Sequence, residues 1–404
     1  IRGVVDERVA HDLTRFAAVH SHTAARVTDV RLEAIGLEQH VPTRAVRELD
    51  RTAEVADVVG ELVPDELSAA PGHIGRPTGV GVVPHEPRAV DLGIVLEEQG
   101  RRVAPVPLYA STVFGGLPIA ECGSEAQLQR YLPALGAGEA KFSAAIAELG
   151  MNVAVASTVT ATQENNTWRL DGHKAVVPDG AVADFILVPA QESNGRQTVF
   201  IIDTGAPGVS VQPVDIGLSG ERAAHLTLDG VTVAEDDVLG APGQGGEILE
   251  WLEQRANVAH CALQVGVTEE AMKRTAAFLG ERKQFGVPLG TFQALAMRMA
   301  DCYIDVEGIR STYWLALWRL SEGLDARAEV RAAKWWACDA AHRIVSSTQH
   351  MHGGIGADVE YPIHRFFLMA KMISYSLGNA SQQLAHLGRL LAEDDSLGFR
   401  ALEV

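Results

Sequence analysis

A cluster of glycines near residue 353 is the first feature of this sequence with the residue types of a ligand site. Within the stretch 342–385, two apolar segments of helix length flank the sequence HMHGGIG at positions 350–356. Three glycines this close together let a backbone turn tightly against a bulky group. Glycines that follow a helix also make ordinary C-caps, and the spacing alone favours that interpretation.

A second motif places a cation and an aromatic ring beside a glycine: RKQFGVPL at 282–289, followed by Phe292 and Gln293. Together with the glycine turn and the Glu-Tyr-Pro sequence at 360–362, it resembles the acyl-CoA dehydrogenase family. The resemblance extends from about Leu92 to Leu391, and its motifs follow the family's order. It implies an FAD-dependent desaturation of an acyl-CoA thioester between Cα and Cβ.

The resemblance also implies where the cofactor lies: between a β domain and a helical bundle, with its ADP part held by the neighbouring subunit. Arg282 would pair with the pyrophosphate, and charge complementarity gives that pairing a physical basis. Gln284 and Phe285 would line the same groove, and Gly353 and Gly354 would admit the adenosine portion. The other implied cofactor positions are Gln293, Asn379, Ser381 and His350, which stands in place of the family's usual Gln. On the residues alone, Arg282 is equally a solvated charge in the charged run 281–283.

Two segments of the implied flavin site depart from the family pattern. Ala147 begins AELG where the family usually has Thr-Glu-Pro over the isoalloxazine, and KAVVP at 174–178 replaces Lys-x-Trp-Ile-Thr/Ser on its other side. Backbone contacts from Ala147, Val176, Val177 and Pro178 survive such replacements. Side-chain hydroxyl contacts do not, because neither Ala147 nor Pro178 carries a hydroxyl group.

The chemistry requires a carboxylate that removes the α-proton while hydride leaves Cβ for the flavin. Family members carry this Glu at one of two positions, which are occupied here by Leu377 and by Ala256. Glu253, about one helical turn before Ala256, is the only local substitute, but its pattern with Glu250 and Arg255 favours a solvated helix face. The catalytic base is therefore unassigned.

The actinobacterial, steroid-degrading branch of the family offers a precedent, because there two unlike chains form an α2β2 assembly and only one carries the Glu. The Ala-rich helices and the Val-Pro replacement resemble that branch. The first hypothesis is one subunit of an FAD-dependent acyl-CoA dehydrogenase that works with a Glu-bearing partner. The alternatives are a scaffold or regulatory subunit and a relative with a different flavin reaction. The implied partners are an acyl-CoA, an electron-accepting flavoprotein, and a homodimer, homotetramer or α2β2 assembly; apolar residues on the last helices favour an oligomer.

The elements that must position these residues form three predicted domains. Mixed, Ala/Arg/Glu/Leu-rich segments predict a helical domain at 1–139, with helices near 90–100, 110–120 and 124–135 and Ser124 as an N-cap. Short β-branched runs between turn signals predict an antiparallel β-barrel or sandwich at 140–240. Long helical stretches at about 247–280, 291–322, 326–351 and 363–393 predict a four-helix bundle within 241–404. The fold class is a segregated α+β architecture.

Composition narrows the function classes. The formal net charge of -18 from 34 Lys+Arg and 52 Asp+Glu disfavours nucleic acid and anionic lipid as partners. No apolar run reaches the roughly 20 residues that a membrane-spanning helix needs. The four separated cysteines are expected to be reduced residues of a cytoplasmic protein. No metal-ligand spacing, dinucleotide glycine motif, P-loop or hydrolase motif is present, so no metal site is expected.

Overall fold

The computed structural model describes residues 87–147, 157–217, 220–394 and 397, all within one compact unit, Thr52–Val404. The predictions for residues 1–86 and for the Glu-Leu-Gly at 148–150 lie outside the described residues. The three domain boundaries stay predictions. The described elements follow the order helices, sheet, helices, so the α+β class is confirmed.

In the described residues from 87 onward, three helices and a π-helical turn precede the sheet. They are α1 (Pro87–Arg102), the π-helical turn Ala110–Gly116, α2 (Leu117–Cys122) and α3 (Glu125–Gly136). Ser124 is the N-cap of α3, as predicted: its side chain accepts a hydrogen bond from the Gln127 backbone N–H, and the Gln127 side chain accepts from the Ser124 N–H. This reciprocal capping box explains why α3 begins where it does.

The described strands in the middle of the chain form one eight-stranded sheet. The strands are β1 (Phe142–Ala144), β2 (Thr160–Glu164), β3 (Thr167–Val177), β4 (Phe185–Glu192), β5 (Gln197–Asp203), β6 (Val209–Pro213), β7 (Ala224–Ala234) and β8 (Val238–Leu239). Their order is β6-β7-β3-β2-β4-β5-β8, with β1 also on β4. The pairs are antiparallel except those of β4 with β1 and β2, which are parallel. The sheet is therefore mixed where the turn pattern predicted antiparallel strands throughout.

The central strands are buried on both faces. On β4 and β5, Leu187 and Ile201 pack into the large core shared with the helices, whereas Ile186 and Phe200 pack into a second core within the β domain. Successive side chains of a strand point to opposite faces, so this division follows directly from the alternation. The first of these cores joins the sheet to the helical bundle and so fixes the site between them.

The C-terminal region is helical, as predicted, but its described part, up to residue 394, contains five helices. They are α4 (Gly245–Glu281), α5 (Gln293–Ser321), α6 (Arg327–Met351), α7 (Ile363–Tyr375) and α8 (Ala380–Glu393). A hairpin of β9 (Lys283–Gln284) and β10 (Val287–Pro288) joins α4 to α5, and a 3₁₀ turn at Gly353–Ala357 follows α6. None of the helices described between 87 and 394 is both long and apolar enough to cross a bilayer.

The single helix predicted at 363–393 is wrong, because the chain leaves helical geometry between α7 and α8. Leu377 has a φ of 56° and Gly378 a φ of 95°, both incompatible with a right-handed helix. Asn379 then caps α8 by accepting a hydrogen bond from the Gln382 N–H. The glycine ends one helix and the N-cap residue begins the next, and these local signals outweigh the continuous apolar pattern.

The apolar residues of α7 are largely core rather than oligomer surface. Phe366, Met369 and Ile373 are buried, and Phe367 and Met372 pack against the same core. Several exposed large apolar side chains lie instead on the hairpin and α5, among them Phe285, Val287, Met297, Tyr303 and Ile304, although Tyr375 at the end of α7 is also exposed. The sequence-based reason for expecting an oligomer was thus wrong in its residues, and the surface that supports it lies elsewhere.

Candidate functional site

A cavity of about 710 Å³ lies where the N-terminal helices, the sheet and the bundle meet. Its wall is mainly apolar and includes Val103, Val106, Tyr109, Phe114, Ile146, Leu263, Leu368, Met369 and Met372. Polar groups are few, among them Gln99, Asp179, Glu221, His260 and Arg365. An apolar pocket of this size with a small number of polar groups is typical of a site for a small-molecule ligand or cofactor.

Three of the four implied flavin-covering positions line this cavity. Ala147, Val176 and Pro178 are part of its wall, whereas Val177 points into the β-domain core and is buried. Val176 has a φ of 55°, unusual for a β-branched residue, which turns the chain at the sheet edge. The Pro178 carbonyl accepts a hydrogen bond from the Ser143 hydroxyl. This segment therefore meets a ligand through backbone and methyl groups.

Neither Leu377 nor Ala256, which the resemblance matches to the family's two base positions, has a side chain that can accept a proton. Leu377 lines the cavity, and its carbonyl accepts a hydrogen bond of 2.8 Å from the buried Gln383 amide. Ala256 is fully buried, and its carbonyl accepts a hydrogen bond of 3.3 Å from the Tyr109 hydroxyl. Asn257, which follows Ala256, is also fully buried.

Glu253 is neither a solvated helix residue nor a residue of the cavity wall. It is only 6% exposed, and Arg331 donates a hydrogen bond to its carboxylate at 2.7 Å. The same Arg331 nitrogen donates to the Gln383 side chain at 3.1 Å, and Gln383 in turn holds the Leu377 carbonyl. The expectation of a solvated face is therefore wrong for Glu253. Its contacts favour a structural role, in which it holds the connection between α7 and α8.

The residues that the resemblance implies for ADP binding lie apart from the cavity, on what we call the bundle-end surface. This surface consists of Arg282, Gln284, Phe285, Gln293, Gly353 and Gly354, all exposed, with the exposed His350 one turn away. None of these residues lines the cavity. The two motifs meet at the same end of the bundle, because the ring of Phe278, near the end of α4, stacks on that of His352 at 4.5 Å.

The hairpin of the bundle-end surface presents its aromatic ring to the outside. Phe285 and Gly286 have φ of 54° and 82°, as the tight turn of a two-residue hairpin requires. Phe285 is 92% exposed, and within the described residues Arg282 makes no ion pair. A Cβ added at Gly353 or Gly354 would meet no atom within 4 Å, although Gly353 also has a φ of 64°. A molecule that lies against this surface can therefore contact the Arg282 cation, the Phe285 ring and the backbone of Gly353 and Gly354.

Asn379 and Ser381, the remaining implied cofactor residues, belong to the first turn of α8. Asn379 is engaged as the N-cap, and the exposed Ser381 is not part of the cavity wall. The structure thus brings Ala147, Val176, Pro178 and Leu377 together and leaves Asn379 and Ser381 outside that group. The cofactor roles of all these residues stay predictions.

Sequence reasoning missed two acidic residues of the cavity wall. Burial raises the pKa of Glu221 to about 7, with nearby Asp179 adding to the effect. Burial likewise raises the pKa of Asp179, which accepts a hydrogen bond from the Arg222 backbone N–H. Neither residue belongs to a motif, so only the folded chain reveals that they line the cavity.

It also missed a row of polar residues along one buried face of α4. Asn257, His260, Gln264 and Thr268 follow Glu253 at helical spacing, and all four are buried. Lys334 of α6, fully buried, donates to His260 Nδ1 at 3.3 Å and to the Ile373 carbonyl at 2.7 Å. The signal that could have found this row is polar residues at i, i+3 and i+4 spacing inside an otherwise Ala- and Leu-rich helix.

Comparisons with known proteins assign all three parts of the described chain to one group. Family models match at residues 76–139, 144–231 and 243–392, described as the N-terminal, middle and C-terminal domains of acyl-CoA dehydrogenase. The chain is 35% identical over 335 residues to acyl-CoA dehydrogenase FadE27 of Mycobacterium tuberculosis, covering 81% of this chain and 85% of that protein.

Two solved assemblies are similar in structure as well as sequence. A single-residue variant of the Tcur3481-Tcur3483 steroid ACAD aligns with a TM-score of 0.74 and 39% identity, covering 85% of this chain and 89% of the other. The ChsE4-ChsE5 complex from Mycobacterium tuberculosis aligns with a TM-score of 0.74 and 32% identity, covering 91% and 92%. Both are named as assemblies of two components.

Proposed function

Because the chain belongs to the acyl-CoA dehydrogenase family and FAD is its cofactor, we propose that it is the subunit of a heteromeric acyl-CoA dehydrogenase that lacks its own general base. A related, Glu-bearing subunit supplies the carboxylate. One observation supports the proposal: the cavity is lined by Leu377, and the two positions matched to the family's Glu are occupied by Leu377 and the buried Ala256. Neither side chain can accept a proton.

The residues of the cavity support binding rather than proton removal. When bound, FAD accepts the hydride that leaves Cβ. Removal of the α-proton needs a carboxylate within hydrogen-bond reach, and Glu253 is held by Arg331 away from the cavity wall. Leu377, Met369 and Met372 offer apolar surface that excludes water from a bound acyl chain.

The bundle-end surface fits the ADP half of FAD, provided that the flavin ring lies in another subunit. Arg282 would neutralise the pyrophosphate, and Phe285 would cover part of the groove. The glycine turn leaves room for the adenosine to approach the backbone. Since these residues are exposed and separate from this chain's cavity, they serve a cofactor shared across an interface. A scaffold would need none of them, which favours the cofactor role over the scaffold alternative.

For the substrate we propose a bulky, steroid-type acyl-CoA. The cavity volume of about 710 Å³ lies in the range of sites for drug-sized ligands, and its wall is mostly apolar. The similar Tcur3481-Tcur3483 assembly is named as a steroid ACAD, which supports the same class here. A separate flavoprotein would take the electrons from the reduced FAD.

Glu221 gives a second candidate function, a subunit that is catalytic by itself. It lines the cavity, and a pKa of about 7 suits a general base near neutral pH. In this alternative the carboxylate comes from the connection between β6 and β7 rather than from the bundle. The partner-dependent function is preferred because it also accounts for the exposed bundle-end surface.

The visible spectrum of the purified chain, alone and with its related subunit, tests the proposal. With the partner, the assembly should bind FAD, and a steroid acyl-CoA should bleach the flavin absorbance under anaerobic conditions. The chain alone should show no bleaching at any acyl-CoA concentration. Rapid bleaching by the isolated wild-type chain would contradict the proposal, and its loss in Glu221→Gln would then establish the second candidate.

A further inference from the structure

His260 of α4 is a polar group in the cavity wall that no family motif includes. It is 3% exposed, and its ring stacks on that of Tyr109 with centroids 4.4 Å apart and planes 13° from parallel. Both rings line the cavity. The stack fixes the plane of the imidazole, so its two nitrogens have defined directions.

Lys334 determines which nitrogen of His260 carries the proton. An ammonium group can only donate, so Nδ1, at 3.3 Å from Lys334 Nζ, must be the acceptor. The single proton of the neutral ring therefore lies on Nε2. Burial, and then the positive charge of Lys334, hold the pKa of His260 well below its ordinary value, which keeps the ring neutral. Within the described ranges, Nε2 has no hydrogen-bond partner.

The same contact makes the Nε2–H group a better donor. Lys334 is fully buried against the imidazole, so its charge polarises the ring that it touches. Hydrogen bonds in series strengthen one another where the local dielectric is low. His260 therefore contributes a donor backed by a cation to a cavity wall that is largely apolar.

We propose that His260 donates a hydrogen bond from Nε2–H to a carbonyl oxygen of the molecule in this cavity, either the flavin ring or the acyl thioester. A carbonyl suits the site because it accepts from a neutral donor without bringing a full charge into an apolar wall. His260 is thus a binding residue, and Lys334 a positioning residue that acts through it. The inference rests on the proposed function only in naming the flavin ring and the acyl thioester as the molecules that the cavity holds.

The tautomer is tested first, without any ligand, on the purified oligomer with ¹⁵N-labelled histidine. Long-range ¹H–¹⁵N spectra at pH 7 should show His260 neutral with its proton on Nε2. In Lys334→Met this preference should weaken to a mixture of tautomers. A wild-type ring that is protonated on both nitrogens, or on Nδ1 alone, overturns the proposal.

Binding is then compared between the wild type and His260→Phe, which keeps the aromatic stack and removes the donor. The probes are octanoyl-CoA, S-octyl-CoA, which lacks the thioester carbonyl, and FAD added to the flavin-free oligomer. Loss of one hydrogen bond should weaken binding roughly 3- to 10-fold. His260→Gln, which retains a donor, should recover part of the loss, and Tyr109→Phe, whose hydroxyl already serves the Ala256 carbonyl, is the matched control.

The three probes distinguish the two carbonyl sources. If only octanoyl-CoA binds more weakly to His260→Phe, the thioester is the acceptor; if FAD binds more weakly, the flavin is. Unchanged affinity for both, in a variant that keeps the wild-type circular dichroism spectrum, overturns the proposal. An oligomer that binds no FAD at all would refute the proposed function, while the tautomer and the octanoyl-CoA comparison would still test His260.

Discussion

The buried ion pair between Glu253 and Arg331 should be a main support of the connection between α7 and α8. The two side chains are 9% and 13% exposed, and the N–O distance is 2.7 Å. With an effective dielectric constant of about 20, unit charges at that distance attract by about 6 kcal/mol before the cost of desolvating both ions. Removing one partner of such a pair typically costs about 3–5 kcal/mol, because the other charge stays buried.

We therefore expect Arg331→Met to lower the free energy of unfolding by about 3 kcal/mol or more. The double variant Arg331→Met with Glu253→Met should recover much of that loss, because apolar residues of similar volume replace both charges. Arg274→Met, which removes a more exposed helix pair with Glu270, is the matched control and should cost less than about 1 kcal/mol.

Urea unfolding at a fixed protein concentration measures these differences, since an oligomer's stability depends on concentration. Hydrogen exchange of the amides at 376–379 should also increase in Arg331→Met, because Arg331 reaches this segment through Gln383. If Arg331→Met were no more destabilised than the Arg274 control, the structural role assigned to Glu253 would be refuted. Its candidacy as a base would then reopen.

Three further outcomes follow from the site. Arg282→Ala should release FAD from the assembly, whereas Lys283→Ala, at the next residue and also exposed, should retain it; equal flavin occupancy in both would refute the motif assignment. Sedimentation should show a dimer or tetramer, since Phe285 and Ile304 are exposed, and a flavin-bearing monomer would contradict this. The raised pKa of Glu221, from 4.5 to about 7, means that the folded state holds a proton that the unfolded state releases, so stability should fall as pH rises through this range. In Glu221→Gln that part of the decline should disappear from urea titrations.

Local sequence signals were sufficient for most of the helices and for their order. The helix predicted at 247–280 is observed as Gly245–Glu281, and the Ser124 cap is where its sequence placed it. The prediction failed at 376–379 because the apolar pattern continues across the break between α7 and α8. The only signals of that break are two adjacent residues, Gly378 and the N-cap Asn379. In the sheet, the parallel pairing of β4 with β1 and β2 depends on distant segments that turn signals do not describe.

Only the site residues that belong to family motifs could be predicted from the sequence. Ala147, Val176, Pro178 and Leu377 were identified by their positions relative to the family pattern, and the structure brings them to one cavity wall. The partner of Glu253 lies 78 residues away, so nothing in its local charge pattern distinguishes a buried pair from a solvated face.

The contact of His260 with Lys334 joins residues 74 positions apart, so it could not be predicted from local sequence either. Long-range polar contacts of this kind belong to the packing of helices against one another. A single sequence records the polar residues on each helix but not which of them meet.

The most direct test of the central claim asks which carboxylate removes the α-proton. Stopped-flow reduction of the flavin by a steroid acyl-CoA is measured in the two-subunit assembly, with Glu→Gln changes made separately at the partner's base, at Glu221 and at Glu253. We predict that the change in the partner slows the rate of flavin reduction roughly 100- to 10,000-fold. Glu221→Gln and Glu253→Gln should each retain the fast phase of flavin reduction. Full activity with the partner's Glu replaced, together with its loss in Glu221→Gln or Glu253→Gln, would contradict the account.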